Sequence, residues 1–260
     1  MSYEYVIYEK KDRIAYVTIN RPEVMNAMNA ATHVELREIW EDFKQDDDVW
    51  VAIFSGAGDR AFSTGNDLKE SASRDEKSRA AERPPFAGMT SKFECSKPII
   101  AAVHGYCVAG GFETALACDL IIAADNTQFS LPEVKVGLVA GAGGLHRLAQ
   151  TAPLKTTMGM VLTGRRMSAE EAFRLGIVNE VVPVEELLPT AERWANEILA
   201  CAPIAVRMTK EAVMAGLDVP VEDAIARDVR EVKPKIRASE DYLEGPRAFA
   251  EKRKPVWTGR

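Results

Sequence analysis

The residues of this chain best equipped for chemistry are two glutamates, each in a run with its own backbone logic. Glu113 follows two glycines in Gly105-Tyr106-Cys107-Val108-Ala109-Gly110-Gly111-Phe112-Glu113, and Glu133 follows a proline in Phe129-Ser130-Leu131-Pro132-Glu133. A third run, Ala61-Phe62-Ser63-Thr64-Gly65-Asn66-Asp67-Leu68-Lys69, lies upstream. One carboxyl can activate water or accept a proton while another delivers one. Backbone amides loosened by glycine can hold a developing oxyanion. Together these are the requirements of proton transfer beside a carbonyl.

Each motif also has a plain structural account. Gly110-Gly111 can be a tight turn before a helix, where small residues are needed for steric reasons. Glu113 can be a first-turn acid that favours the helix dipole. Its neighbours Phe112, Ala115, Leu116 and Ala117 are apolar or small, however, so a carboxylate there is either functional or costly to bury. Pro132-Glu133 resembles an ordinary helix start, with Lys135 near enough to pair. Asp67 can cap a helix beginning at Leu68, and Gly65 can allow close approach to the backbone. Gly141-Ala142-Gly143-Gly144 lacks the preceding strand and the spaced ribose acid of a dinucleotide site. His33, His104 and His146 are widely spaced without companion ligands, so no metal is expected. No Gly-x-Ser-x-Gly supports a serine hydrolase.

The elements that must position these groups alternate in type. Tyr5–Tyr8 and Ile14–Ile19 read as strands split by the charged turn Glu9–Arg13. Val34, Leu36, Ile39, Trp40 and Phe43 mark a helix over Asn29–Lys44. Val49–Phe54, Pro98–Val103 and Asp119–Ala124 read as buried strands, with a small-residue helix over Phe112–Cys118. Residues 70–90, charged and then proline-rich, read either as a mobile helix and loop over a site or as a solvated surface insertion. Alternation of strand, turn and helix predicts α/β architecture. Beyond Gly144 the chain turns helical, with a capping-box pattern at Ser168 and Glu171 and helices over Val184–Leu199, from Pro203 and from Val221. The division falls near residue 200, giving a core over residues 1–200 and a helical region over 201–260. No flexible linker separates them, so the tail is expected to pack on its own core or on a neighbouring subunit.

At 260 residues the chain has ample core, and 47% hydrophobic with 28% charged residues is ordinary for a globular protein. The net charge of −6 argues against a nucleic-acid partner, but not against an anionic small molecule met by local cations. The four cysteines show no metal spacing, and Cys95, Cys107 and Cys118 read as buried free thiols suited to a reducing cytoplasm. The N-terminal residues lack a basic segment and a long apolar core, and no apolar run reaches membrane-spanning length. A cytoplasmic protein without a membrane partner is expected.

Taken in order, the runs resemble the crotonase family, the enoyl-CoA hydratase/isomerase superfamily. The resemblance starts at Thr18-Ile19-Asn20-Arg21-Pro22 with Met25-Asn26-Ala27 and includes the 61–69 run and Lys97–Tyr106. It continues through Ala117–Ala124 and Leu162-Thr163-Gly164, and closes with Glu244–Pro255. It implies an α/β fold, a crotonase-like spiral of ββα repeats with a C-terminal helical trimerisation region, and assembly as a homotrimer or dimer of trimers. It further implies an acyl-CoA substrate and no separate cofactor, the CoA being part of the substrate.

By the same resemblance, Asn66 and Gly110 match the positions whose backbone N–H groups form the family's oxyanion hole. Glu113 and Glu133 match the two catalytic glutamates of its hydratases. Met25, Ala27, Thr64, Gly65, Asp67 and Leu68 fall in substrate-contacting runs. Lys69 matches a lysine near the CoA adenine, and Lys252 a C-terminal lysine that reaches CoA phosphates, sometimes from the next subunit. Reversible hydration of an enoyl-CoA is the implied activity. Phe112-Glu113, Ala124-Asp125-Asn126 and Thr163–Met167, with the ending Pro255–Arg260, are similar to the family's carnitinyl-CoA dehydratase branch. Double-bond isomerisation is a further alternative. The sequence departs from the family at Val139-Ala140-Gly141, where many members carry a proline before the glycines, and in the Lys69–Thr90 segment.

Overall fold

A computed structural model describes residues 3–73, 85–91 and 93–260, with side chains 71–73 left aside. The expected helix and loop over 70–90 therefore falls in large part outside the described residues. Among the described residues, ten strands form two sheets. The larger has the order β1 (Val6–Lys11), β2 (Ile14–Ile19), β3 (Val51–Gly56), β5 (Ile99–Val103), β7 (Leu120–Ala124), β10 (Glu180–Val182). The smaller has the order β4 (Ala61–Ser63), β6 (Tyr106–Val108), β8 (Gln128–Ser130), β9 (Met167–Ser168). Strands β3, β5 and β7 each pass through a short corner into β4, β6 and β8. The chain thus climbs as a spiral whose successive turns pair in parallel, as expected of a crotonase-like fold.

The corners show why the sequence turns where it does. Gly105, between β5 and β6, sits at φ +56°, and a Cβ there would lie 2.1 Å from the Arg60 carbonyl oxygen. Only glycine permits that approach. In the opening hairpin the strand runs to Lys11, further than the charged turn suggests. Asp12 and Arg13, both at positive φ, alone make the reversal.

The central strands β3, β5 and β7 are buried on both faces, which explains their continuous apolar runs. On one face Phe54 meets Trp40 and Phe62 edge-on, with ring centroids 5.2 and 5.4 Å apart. Trp40 comes from α1 (Ala30–Gln45), whose first turn is capped by Asn29 Oδ1 accepting from the Thr32 amide at 2.8 Å. On the other face Val51, Ile53, Ile100 and Ile122 pack with Leu187, Ala191 and Ala195. Each large side chain so buried contributes about 1.5–3 kcal/mol.

Short helical pieces follow each small-sheet strand: α2 (Leu68–Ser73) after β4, α3 (Gly110–Ala115) after β6, and a 3-10 turn Glu133–Val136 after β8. The remaining helices are α4 (Gly144–Thr151), α5 (Leu154–Thr163), α6 (Ala169–Arg174) and α7 (Leu187–Leu199), which carries the residues on the second face of the large sheet. The tail comprises α8 (Pro203–Gly216), α9 (Val221–Arg237) and α10 (Asp241–Ala250). Ser168 caps α6 by accepting from the Glu171 amide at 3.2 Å, while the Glu171 carboxylate pairs with Arg165. The tail leaves Val213, Met214, Leu217, Val221, Ile225 and Phe249 exposed, Phe249 at 87%. Among the described residues no helix is long and apolar enough to cross a membrane.

Candidate active site

The parallel pairing of β4, β6 and β8 decides where the sequence motifs meet. Ser63 pairs with Cys107, and Val108 with Ser130, so the three strands end side by side. The segments leaving those ends are Thr64–Asp67, Ala109–Glu113 and Leu131–Glu133. Motifs separated by up to 70 positions are brought together at one sheet end.

The first two segments are in contact. Gly65 has φ +85°, and a Cβ on it would lie 2.6 Å from the Gly110 nitrogen. The Gly65–Asn66 peptide therefore lies directly against the start of α3. Ala109, the residue before α3, has φ 52° and ψ −134°, a strained conformation for a residue with a side chain. It turns the chain sharply, and among the described residues the Gly110 amide has no acceptor. Asn26 fixes Met25 and Ala27 beside this pair: its Nδ2 donates to the carbonyls of Ala57 and Ala61 at 2.8 and 2.7 Å. The Met25 carbonyl accepts from the Thr64 amide at 3.2 Å.

Glu113 lies within α3 and is only 3% exposed. Its Oε1 accepts from the amides of Ala142 and Gly144 at 2.8 and 2.9 Å. Gly144 must be small, because a Cβ there would lie 2.6 Å from Glu113 Cγ. Burial raises the Glu113 carboxyl above the ordinary range, against the pull of the Gly144 and Ala142 amides and the Arg147 charge. Arg147 is held by the Thr90 carbonyl at 2.8 Å.

Glu133 opens the 3-10 turn and is half-buried. Its Oε2 is buried with no hydrogen-bond partner among the described residues. Burial raises its carboxyl too; its own backbone amide opposes this, and the Glu113 charge adds to it. The two carboxyls thus sense one another across the site.

Beside the strand ends opens a cavity of about 480 Å³ whose lining includes Met25, Thr64, Val108 and Pro132 together with the cations Arg60, Lys135 and Arg166. Thr64 and Pro132, from the first and third of the segments leaving those ends, reach it, and Val108 lies just before the second. Asp67 caps α2, its Oδ1 accepting from the amides of Lys69 and Glu70 at 3.2 and 3.4 Å, and its Oδ2 pairs with Arg21 at 3.2 Å. Leu68 is 53% exposed beside it. Lys69 and Lys252 are exposed, and neither lines the cavity. Among the described residues no group of three acidic, histidine or cysteine ligands can hold a metal.

A family model described as Enoyl-CoA hydratase/isomerase matches residues 9–260. The chain belongs to this family. Carnitinyl-CoA dehydratase of Escherichia coli K12 is 45% identical over 250 residues, 95% of each chain. Among solved structures, enoyl-CoA hydratase from Mycobacterium tuberculosis H37Rv superposes with a TM-score of 0.92 at 40% identity, over 98% of this chain and 99% of that one. An enoyl-CoA hydratase from Bacillus anthracis superposes with a TM-score of 0.91 at 31% identity, over 99% and 100%. The protein is therefore an enzyme of the enoyl-CoA hydratase/isomerase family with the crotonase fold.

Sequence reasoning did not find the amides of Ala142 and Gly144, although the glycine run that carries them was noticed. Its function is to clamp a carboxylate from a helix about 30 residues earlier, and nothing local announces that. Nor did it find Arg60, Lys135 and Arg166, which stand apart in the chain. It also missed Phe86, whose ring tip covers Gly110: a Cβ on Gly110 would lie 2.3 Å from Phe86 Cζ.

Proposed function

We propose that the protein adds water reversibly across the 2,3 double bond of an enoyl-CoA thioester. The observation that carries this is a difference between two buried carboxyls. One oxygen of Glu113 is held by two amides, whereas Glu133 keeps a buried oxygen without a partner. The amides of Asn66 and Gly110 receive the thioester oxygen, which draws electrons from the double bond and makes Cβ electrophilic. Glu113, fixed as an acceptor through Oε1, orients water with its other oxygen and removes the proton as water attacks Cβ. Glu133, whose carboxyl burial raises and whose buried oxygen is uncommitted, gives a proton to Cα. Dehydration runs the same steps backwards. The thioester supplies the activation, so no cofactor beyond the substrate's own CoA is invoked. Met25, Ala27, Thr64, Gly65, Asp67 and Leu68 border the path of the CoA arm, with Lys69 and Lys252 at its rim.

The acyl group has a second reading, crotonobetainyl-CoA, favoured by 45% identity to a carnitinyl-CoA dehydratase over nearly the whole chain. The exposed apolar residues of α8 to α10 support assembly as a homotrimer or dimer of trimers through the tail, in a cytoplasmic setting. Crotonyl-CoA and crotonobetainyl-CoA, each incubated with the purified protein in ¹⁸O-labelled water, test the reaction. Loss of the conjugated-thioester absorbance with ¹⁸O entering at Cβ is expected for the true substrate. A shifted double bond without label would establish isomerisation instead.

A further inference from the structure

Arg147 is a cation near the start of α4, the end of a helix that favours negative charge. Its half-buried side chain makes no ion pair among the described residues. It donates instead to two carbonyls, from Nη1 to Ala142 at 3.2 Å and from Nη2 to Thr90 at 2.8 Å. Gly143 lies between, at φ +91°, and a Cβ on it would lie 2.3 Å from Arg147 Nη1. The guanidinium therefore packs into the space that Gly143 leaves and grips Ala142, the residue whose amide binds Glu113. Its other anchor, Thr90, is buried and fixed to the Phe86 carbonyl through its hydroxyl at 3.0 Å and its amide at 3.2 Å. Charge points the same way. The clamp on Glu113 Oε1 consists of backbone dipoles, and the positive charge that acts on this buried carboxyl is Arg147. Reciprocally, Glu113 is the charge that acts most on Arg147. A buried carboxylate without a nearby cation is costly.

We propose that Arg147 is a positioning residue for the reaction: it holds the 142–144 turn so that both amides stay on Glu113, and it supplies the charge that keeps this carboxylate ready to take a proton from water. This rests on the reading of Glu113 as the base. Arginine suits the task because its planar fork reaches two carbonyls at once while remaining charged. The other titratable groups in reach are few. Glu133 faces Glu113 and feels its charge. The Cys118 thiol faces Arg147 and is pushed up by burial, which keeps it neutral. His146, beside Arg147 in α4, is exposed to solvent.

The test follows hydration of crotonyl-CoA, or of crotonobetainyl-CoA if that is the ester the wild type hydrates, across pH in Arg147→Met and Arg147→Lys. Arg147→Met keeps the stem and removes the charge and both donors. Its kcat is expected to fall about 10- to 100-fold at neutral pH, with KM changed less than about 2-fold. A cation favours the ionised carboxyl, so its loss raises the Glu113 pKa. The acidic limb of kcat/KM should therefore move up by about one pH unit, with part of the lost rate regained at higher pH. Arg147→Lys keeps the charge but not the grip on two carbonyls. Its limb should stay within about 0.3 unit of wild type while kcat recovers only in part. The Glu113 carboxyl is also titrated by infrared difference against Glu113→Gln in each background, a readout that needs no turnover, and should move with the limb. An unmoved Glu113 titration in Arg147→Met, a limb in Arg147→Lys displaced as far as in Arg147→Met, or a loss of thermal stability with kcat intact overturns the proposal. Should Arg147→Met fail to fold, Arg147→Gln replaces it with the same expectations. Full hydration by Glu113→Gln contradicts the reading of Glu113 as base, and the infrared titration then still decides whether Arg147 governs its charge.

Discussion

Glu113 and Glu133 are the same residue type in opposite surroundings. Glu113 sits inside a helix with its carboxylate held by two amides from the 142–144 turn. Glu133 sits on a turn flanked by Val134, Val136, Leu138 and Val139, all exposed, and its buried oxygen is unpartnered. Orientation is built for one and left open for the other. A group that must aim a water at a fixed carbon needs a single rotamer; a group that gives a proton and later recovers it needs an oxygen uncommitted to the protein. Environment, more than residue identity, divides the roles.

The largest effect that sharpens this contrast comes from removing either group. Glu113→Gln and Glu133→Gln are each expected to lower kcat for hydration by about 10²- to 10⁴-fold. Crotonyl-CoA turnover in stopped assays checks this, and near-wild-type rates in either variant would remove that residue from the mechanism.

A smaller effect is expected from loosening the clamp while keeping both acids. In Gly144→Ala the new methyl must displace Glu113 Cγ, 2.6 Å away. The carboxylate then loses its aim, and kcat should fall about 10- to 100-fold with little change in KM. If kcat survives and only thermal stability falls, the clamp serves folding alone.

Stability separates the two residues from the catalytic readout. The folded-state carboxyl of Glu133 is raised, so its neutral form is the one the fold favours. Its contribution is fully present below the ordinary glutamate range and is lost as pH rises through the raised value. Glu133→Gln, which cannot ionise, should therefore melt above wild type at pH 8, with the gap closing on acidification to pH 4. A gap that is constant across pH would show that the carboxyl's charge is not the cause.

The smallest effect lies outside the site. Asn29→Ala removes the cap of α1 and should cost about 1 kcal/mol in denaturant unfolding, leaving the ratio of hydration to Cα exchange untouched.

What could be read from the sequence follows the range of the interaction. The α1 helix, the Ser168 cap, the buried strands and the apolar setting of Glu113 are local, and all were legible. The two glutamates were recognisable as candidates, but their residue-level alternatives stayed open until β6 and β8 were seen to pair. The clamp on Glu113, the contact of Gly65 with Gly110 and the three-cation cluster depend on which strand ends lie together. No periodicity or spacing encodes that directly. Conversely, Lys69 and Lys252 stood out as charges in familiar runs, yet the cavity within this chain is lined by other cations.

The division of labour between the two glutamates is tested most directly by hydrogen exchange at Cα of butyryl-CoA in heavy water. This saturated ester offers no double bond for water to attack, so only enolisation against the Asn66 and Gly110 amides is observed. Exchange should persist in Glu113→Gln and be lost in Glu133→Gln. Loss in Glu113→Gln with persistence in Glu133→Gln would contradict the assignment and exchange the two roles.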